Sequence, residues 1–350
     1  MTIWTKELCK KILKKTFFFF LSVILLYVMV DFSIHSTRFA SANLATLIKY
    51  YLTQVSDYLD IFLPVSFLIS MVRTLAEMNS NKELLALFSA GLSKKALIKP
   101  LLMIAFLFSS ICLFNAEFIV PKTAIFMNDF QKSFFAKKSK NAQRNVHSIF
   151  LNDQSYLVFS KYDSQAKILE DVFWIKNFND IWHIEKIELT SPPTAYFLDN
   201  LVREQNDRLV KKDSYKKQIL ENLLITEQEL QDLFIPLDRN PLSKLLISNK
   251  KESIETTAEK GSLASLKIIY ALVFFLIVIC IAPFCIYFSR DFSPLYVLGL
   301  SIFAFICFYT IINFLSILCI NQVLSTFLAL WFPSIFLLLI GLYRFFRSTT

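Results

Sequence analysis

Glycine is nearly missing from this chain: four in 350 residues, at Gly91, Gly261, Gly299 and Gly341. The nearest two are 38 residues apart, so neither a Walker A loop nor a dinucleotide-binding fingerprint can be written anywhere. Work drawn from ATP would have to come from another chain. Histidine is as scarce, with three, and no Cys-x-x-Cys or Cys/His cluster occurs, so no metal site and no cofactor is expected. Six cysteines are present, yet none lies between residues 120 and 265, the one long polar stretch; a disulfide framework is excluded there. Charge is absent from Phe292 to Tyr343, 52 residues in a row. That is too long for one membrane crossing and right for two.

What is abundant is apolar surface. The chain is 55% hydrophobic with 37 Phe and a mean hydropathy of +0.50, against about 45–50% apolar for an average soluble domain. The excess is blocked, as in a multi-pass membrane protein. Phe17 to Val30 is uncharged and extends past Asp31 to Ile34. The five Lys before it resemble a secretion signal, but the flank Val30-Asp31-Phe32 offers no small-residue cleavage site, so a retained first span is expected. Tyr58–Ala76 and Leu97–Val120 follow as spans 2 and 3, then Ile268–Ser289 as span 4. The long uncharged run makes spans 5 and 6, with a break near Asn321-Gln322.

The net charge of +9 would point to nucleic acid in a soluble protein. Here the placement of the charges matters more, and no nucleic-acid partner is expected. With the N-terminus inside, thirteen Lys and Arg lie on the inner short connections and two, Arg38 and Lys49, on the outer ones. This asymmetry places both termini in the cytoplasm and the polar stretch outside.

That stretch changes period along its length. Residues 121–145 carry Phe126, Phe130 and Phe134 at helical spacing and read as a continuation of span 3. From Ser148 to Ser160 two strands flank an Asn152-Asp153 turn, and further alternating runs cover Asp171–Phe178, Trp182–Leu189 and Tyr196–Leu198. A small all-β sandwich or roll is expected, with mixed signal from Ile219 to Lys260. His147 and His183 stand alone there, without a catalytic constellation. The fold class is therefore membrane α plus β: residues 1–120 as spans 1–3, residues 121–265 as an outer β domain with its connections, and residues 266–350 as spans 4–6.

Between spans 2 and 3 lies Asn79-Ser-Asn-Lys-Glu-Leu-Leu-Ala-Leu-Phe-Ser-Ala-Gly-Leu-Ser93. Ser80 and Glu83 have capping-box spacing, Gly91 is placed to end a helix, and Leu84, Leu85, Leu87 and Phe88 form one apolar stripe. A short amphipathic helix over 80–90 needs cover. That cover is its own bundle, the membrane surface, or a groove on a cytoplasmic partner. Glu83 either closes the capping box or pairs with a partner's Arg. Arg73 and Glu77, four apart, are placed to pair with each other.

Several of these features come together in one known family. Leu63-Pro64 in span 2, Ser80-Asn-Lys-Glu-Leu-Leu-Ala-Leu-Phe-Ser-Ala-Gly-Leu-Ser93 and Glu117-Phe-Ile-Val-Pro121 after span 3 resemble the LptF/LptG permeases of the lipopolysaccharide exporter, the last motif leaning toward LptG. Lys82 stands where the family motif has Ser. Pro283-Phe284 and Trp331-Phe332-Pro333 fit more loosely. The resemblance implies six transmembrane helices, three and three, with a periplasmic β-jellyroll-like domain inserted between helices 3 and 4, in a bacterial inner membrane. It implies four partners: a second permease of the same type, a cytoplasmic ABC ATPase dimer, a periplasmic jellyroll bridge protein and lipopolysaccharide. The lipid would enter between span 1 of one permease and span 5 of the other. Glu83 would be the coupling-helix acid that meets the ATPase, with Leu84, Leu87, Phe88 and Gly91 shaping that helix. The family's basic residues at the outer end of span 1 are replaced here by His35 and Arg38. With Phe62 in span 2 and Phe308 and Tyr309 in span 5, these are the candidate lipid contacts. The permease itself would not be an enzyme.

Other classes fit less well. A receptor with a ligand-binding β domain would carry an output domain, and only seven residues follow Tyr343. A membrane-embedded enzyme would carry paired acids or histidines deep in the spans. Another type of ABC permease would lack a β domain between two span triplets.

Overall fold

The computed structural model describes residues 3–39, 43–134, 147–150, 155–163, 167–177, 180–190, 192–203, 209–220, 236–247, 254–286 and 294–347. Contacts divide the chain into a helical unit, Met1–Phe135 with Ile235–Thr350, and a β unit, Ala136–Phe234.

Among the described residues six helices of the helical unit are long and apolar enough to cross a membrane. They are α1 (Ile3–Phe39), α3 (Leu59–Ser80), α5 (Lys94–Phe114) running on through a π-helical turn into α6 (Val120–Phe134), α8 (Ile254–Ile286), α9 (Pro294–Ile320), and α10 (Phe332–Arg347) with the π-helical turn before it. The chain break after span 5 falls at Asn321-Gln322, as the sequence indicates. There Gln322 takes φ 59, its N–H bonds to Cys319 O at 3.0 Å and Val323 N–H to Leu318 O at 3.0 Å. These two bonds serve carbonyls that the end of α9 would otherwise leave open. Arg290 and Asp291, which follow span 4 in the sequence, lie outside the described residues.

The core of this unit gathers three rings from three spans. Phe67 of α3, Phe108 of α5 and Phe274 of α8 lie with centroids 5.5, 5.9 and 5.8 Å apart, and Phe67 and Phe274 are fully buried. Leu68, Met71 and Leu75 continue that face along α3, and Leu8 and Ile12 bring the start of α1 onto it. A second cluster joins Leu266, Ile269 and Tyr270 of α8 to Ile312 and Cys319 of α9. Gly341 lets α10 approach α8: a Cβ there would lie 2.9 Å from both Cys280 Sγ and Ile279 Cγ2.

Two prolines explain the two π-helical turns. Asn115–Ile119 precedes Pro121 and Phe327–Trp331 precedes Pro333, each with the proline two residues past the turn. A proline ring collides with the carbonyl four residues back, and the wider turn makes room for it.

Between α1 and α3 lies a helix the sequence reading did not separate, α2 (Leu44–Asp57). The short helix after α3 is α4 (Glu83–Ser89), so it begins later than residue 80. The expected capping box does not form. Ser80 still belongs to α3 and donates to Glu77 O at 2.9 Å. Lys82 instead takes a left-handed conformation, φ 59, which ends α3 and starts α4 in one residue. A tight reversal wins over the cap because α4 must fold back at once to bury Leu84. The far end is as expected. Gly91 has φ 87, its N–H bonds to Phe88 O, and Leu92 N–H bonds to Leu87 O, both at 3.0 Å.

The β unit is one six-stranded antiparallel sheet in sequence order: β1 (His147–Phe150), β2 (Tyr156–Asp163), β3 (Ile168–Asn177), β4 (Asp180–Glu188), β5 (Thr194–Arg203) and β6 (Leu209–Ile219). The expected Asn152-Asp153 turn lies outside the described residues. One face carries Leu157, Phe159, Leu169, Val172, Trp174, Ile184, Ile187, Ala195 and Leu198 as a buried cluster. Asp171 and Phe197 take φ 56 and 52. Each shifts the two-residue alternation by one, so Leu169 and Val172 share a face, as do Ala195 and Leu198. β6, which the alternation alone did not reveal, is exposed from Val210 to Ile219, with Lys211, Lys212, Lys216 and Lys217. Lysines of this kind discourage stray pairing at a sheet edge.

Lys82 and Gly91 bracket α4 with the same backbone sign, and only one of them is a glycine. A non-glycine residue in the left-handed region costs roughly 1 kcal/mol. Lys82→Gly is expected to raise the thermal unfolding midpoint of the detergent-solubilised protein and Gly91→Ala to lower it. Equal shifts of the same sign would contradict this reading of the turn.

Candidate functional site

The α4 end of the helical unit is built by charge pairs over an apolar seat. Leu84 is 1% exposed and belongs to the bundle core, with Leu87 and Phe88 packed half-buried beside it. The stripe is thus covered by its own bundle, except for Leu85, which is 67% exposed. Glu83 Oε2 lies 3.2 Å from Lys11 Nζ of α1, and Asn81 Nδ2 donates to Glu83 Oε1 at 3.4 Å. One turn back, Glu77 takes Lys15 of α1 and also Arg73 Nε at 3.0 Å, the Arg73–Glu77 pair that the spacing indicates. Below these pairs Ser70 Oγ donates to Ile12 O at 2.8 Å in the buried seam of α1 and α3. Trp4, Glu7, Leu8, Lys11, Met78, Glu83, Ala86 and Leu87 line an open groove of about 350 Å³. Exposed ion pairs of this kind contribute little stability each; what they fix is the position of Glu83.

The five candidate lipid contacts are carried by α1, α3 and α9. His35 Nδ1 sits 3.3 Å from Asp31 Oδ1 near the end of α1, and Arg38 is exposed in its last turn. Phe62 packs half-buried between Tyr27 and Tyr58, centroids 5.4 and 5.8 Å away. Phe308 packs half-buried between the two helical clusters. Tyr309 lies inside the bundle, stacked on Tyr270 at 4.5 Å and 10°.

Tyr309 has a structural partner that gives the Leu63-Pro64 motif its meaning. Pro64 lies inside α3 and has no N–H for the Asp60 carbonyl. Tyr309 Oη reaches that carbonyl from α9 at 3.4 Å. An unsatisfied carbonyl in an apolar interior is costly, so the proline in span 2 and the tyrosine in span 5 form one hydrogen-bonding unit.

The opposite end of α3 carries a polar cluster that sequence reading missed. Asp57, which ends α2, pairs with Arg239 through Oδ2 and Nη2 at 2.8 Å, with both side chains largely buried. Burial pushes the Asp57 carboxyl up to about 6, against the lowering pull of Arg239; desolvation outweighs the attraction in this pair. Glu117, in the π-helical turn, accepts from Ser243 N at 3.1 Å and Ser243 Oγ at 2.5 Å. Asn115 in the same turn exchanges two bonds with Ser56, at 2.7 and 2.8 Å. Lys267 of α8 donates to Asn240 O at 2.5 Å. Glu117 was legible as an acid before a proline, but its partner lies 126 residues away. In the β unit, His183 pairs with Asp171 at 3.0 Å. Among the described residues no group of three or more His, Cys, Asp or Glu is placed to hold a metal ion.

The model of the family described as lipopolysaccharide export system permease LptF/LptG matches residues 7–347, nearly the whole chain, and the chain belongs to that family. LptF and LptG are covered by the one description. No individual curated protein matches the chain.

If Tyr309 serves the carbonyl that Pro64 leaves open, the two positions are coupled. Tyr309→Phe is expected to destabilise the chain by roughly 1–2 kcal/mol, the cost of leaving a buried acceptor unmade, in denaturant unfolding in detergent. The same change in a Pro64→Ala background, where residue 64 supplies the N–H, is expected to cost clearly less. Equal costs in both backgrounds would break the link.

Proposed function

We propose that this member of the permease family is one membrane half of an ABC exporter that draws lipopolysaccharide from the inner membrane. It passes the lipid outward, by way of the β unit, to a jellyroll bridge protein. A second permease of the same type completes the lipid cavity, and a separate cytoplasmic ATPase dimer supplies the work. In this reading both termini are cytoplasmic and the β unit is periplasmic, which the distribution of Lys and Arg supports.

The observation that carries the reading is α4. The chain has no phosphate-binding glycine loop of its own, yet it presents a short helix seated on the bundle by Leu84, with Leu85 exposed. Leu84, Leu87 and Phe88 transmit force inward; Gly91 lets the chain turn away into α5; Glu83 offers a carboxylate at the rim of an open groove. A partner that presses on this helix moves α1 and α3 with it, because Lys11, Lys15 and, below them, Ser70 tie those helices together. Closing of the ATPase dimer would then narrow the cavity and expel lipid, and reopening would admit the next. On the lipid side, Arg38 and His35 are the polar groups at the outer end of span 1. Phe62, Phe308 and Tyr309 contribute as the aromatic wall behind the cavity, since all three are packed against neighbouring helices.

Two roles for Glu83 can be separated by charge exchange. Glu83→Lys is expected to leave the chain folded and inserted, to lose the ATPase on purification and to cut lipopolysaccharide export by about tenfold or more, equivalent to 1.4 kcal/mol of coupling. The double exchange Lys11→Glu with Glu83→Lys restores the internal pair and is expected not to restore export. Full rescue by the double exchange would show that Glu83 acts only within the chain.

A further inference from the structure

The segment Pro236–Ile247 joins the β unit to α8 in sequence, and it is held in an unusual way. It contains one turn of 3-10 helix, Leu237–Arg239, and the short α7 (Leu242–Leu246). Three charged side chains from three different elements grip it. Asp57 at the end of α2 holds the Arg239 guanidinium, Glu117 of the π-helical turn takes both the backbone N–H and the hydroxyl of Ser243, and Lys267 of α8 takes the Asn240 carbonyl. Leu245 adds a single apolar plug, 4% exposed. Asp238 and Arg239 of the segment border a cavity of about 380 Å³ whose lining combines Asp57, Asp60, Lys267 and Asn313 with apolar side chains such as Leu263 and Leu266.

The energetics argue against a purely stabilising role. Burying an ion pair costs more desolvation than its attraction returns in many proteins, and apolar side chains of the same volume would hold as well or better. Asp57 Oδ1, Arg239 Nη1 and Asn240 Oδ1 are buried without a protein hydrogen-bond partner, which adds cost. What charge pairs supply that apolar contact does not is a fixed register. The three grips fix one residue each, at Arg239, Asn240 and Ser243, and so leave the segment a single position.

We infer that Asp57, Glu117 and Lys267 are positioning residues for transport, and that Pro236–Ile247 is an ionic strap. The strap sets where the chain re-enters the helical unit from the β unit, and its Asp238–Arg239 end borders the cavity. Lipid leaving the helices then meets an outlet of fixed geometry. This rests on the exporter reading above for what is transported, and on the geometry alone for the strap.

The test reads the strap and the transport separately. Leu245→Cys is introduced into the full chain, and its maleimide modification in detergent is followed by mass spectrometry of the peptide that contains it. With the strap seated, residue 245 is buried and modification is slow. Asp57→Arg is expected to speed it about tenfold, and Glu117→Ala to do the same from an independent site, a change worth 1.4 kcal/mol in the seated population. The exchange Asp57→Arg with Arg239→Asp is expected to return modification toward the starting rate. In cells without Leu245→Cys, export falls in Asp57→Arg and recovers in the exchange, while the ATPase copurifies in every case. Modification unchanged in both Asp57→Arg and Glu117→Ala overturns the strap. Faster modification with unimpaired export overturns the positioning role. A wild-type chain that exports no lipopolysaccharide, yet shows exchange-reversible modification, overturns the exporter reading and supports the strap.

Discussion

The contact between Phe67, Phe108 and Phe274 is the point on which the helical unit depends. The chain leaves this unit after α6 and returns only at residue 235, about a hundred residues later. The two triplets of helices must therefore recognise each other without a short connection. Dispersion and ring packing among large side chains do this in a region where water supplies no hydrophobic drive between helices. α3 sits at the centre. It meets α1 through Ile12 and Ser70, α5 through Phe108, α8 through Phe274, and α9 through the Asp60 carbonyl. Both ends of α3 also carry the chain's main charged clusters.

The two clusters do different work. At the α4 end the charges are exposed and paired across α1, α3 and α4, where an outside partner has access to them. At the other end Asp57 and Lys267 are largely buried, Glu117 is more exposed, and the three grip one segment of chain. Between them runs the apolar middle of α1, where Phe17, Phe18 and Leu26 are exposed. α9 and α10 show a similar face, with Phe303, Phe314 and Phe332 exposed. Such surface requires a bilayer or a second membrane chain to cover it.

Much of this was legible in the sequence because hydrocarbon imposes length and continuity. The six spans, the break at Asn321-Gln322, the Gly91 terminus of α4 and most of the strands follow from runs, periods and turn residues. The rest depended on tertiary context. The Ser80–Glu83 spacing indicated a capping box, but the need to fold α4 straight back onto the bundle put Lys82 in a left-handed turn instead. No local pattern marked the Asp60 carbonyl, which Pro64 frees and Tyr309 of α9 reaches. The hydroxyl of Tyr309, a candidate lipid contact, also reaches the Asp60 carbonyl, a pairing no local pattern shows. β6 was hidden because an edge strand with four lysines lacks an apolar alternation. Arg239, Ser243 and Lys267 carried no local signal at all, since each acquires its meaning from a residue far away in the chain.

The central claim is that this chain moves lipid with energy supplied by another protein. The most direct measurement is to isolate the tagged chain gently from its native membrane and identify what accompanies it. The account predicts a P-loop ATPase together with a second six-span permease, and lipopolysaccharide bound to the assembly. A chain that purifies alone, or with a signalling protein in place of the ATPase, would contradict it.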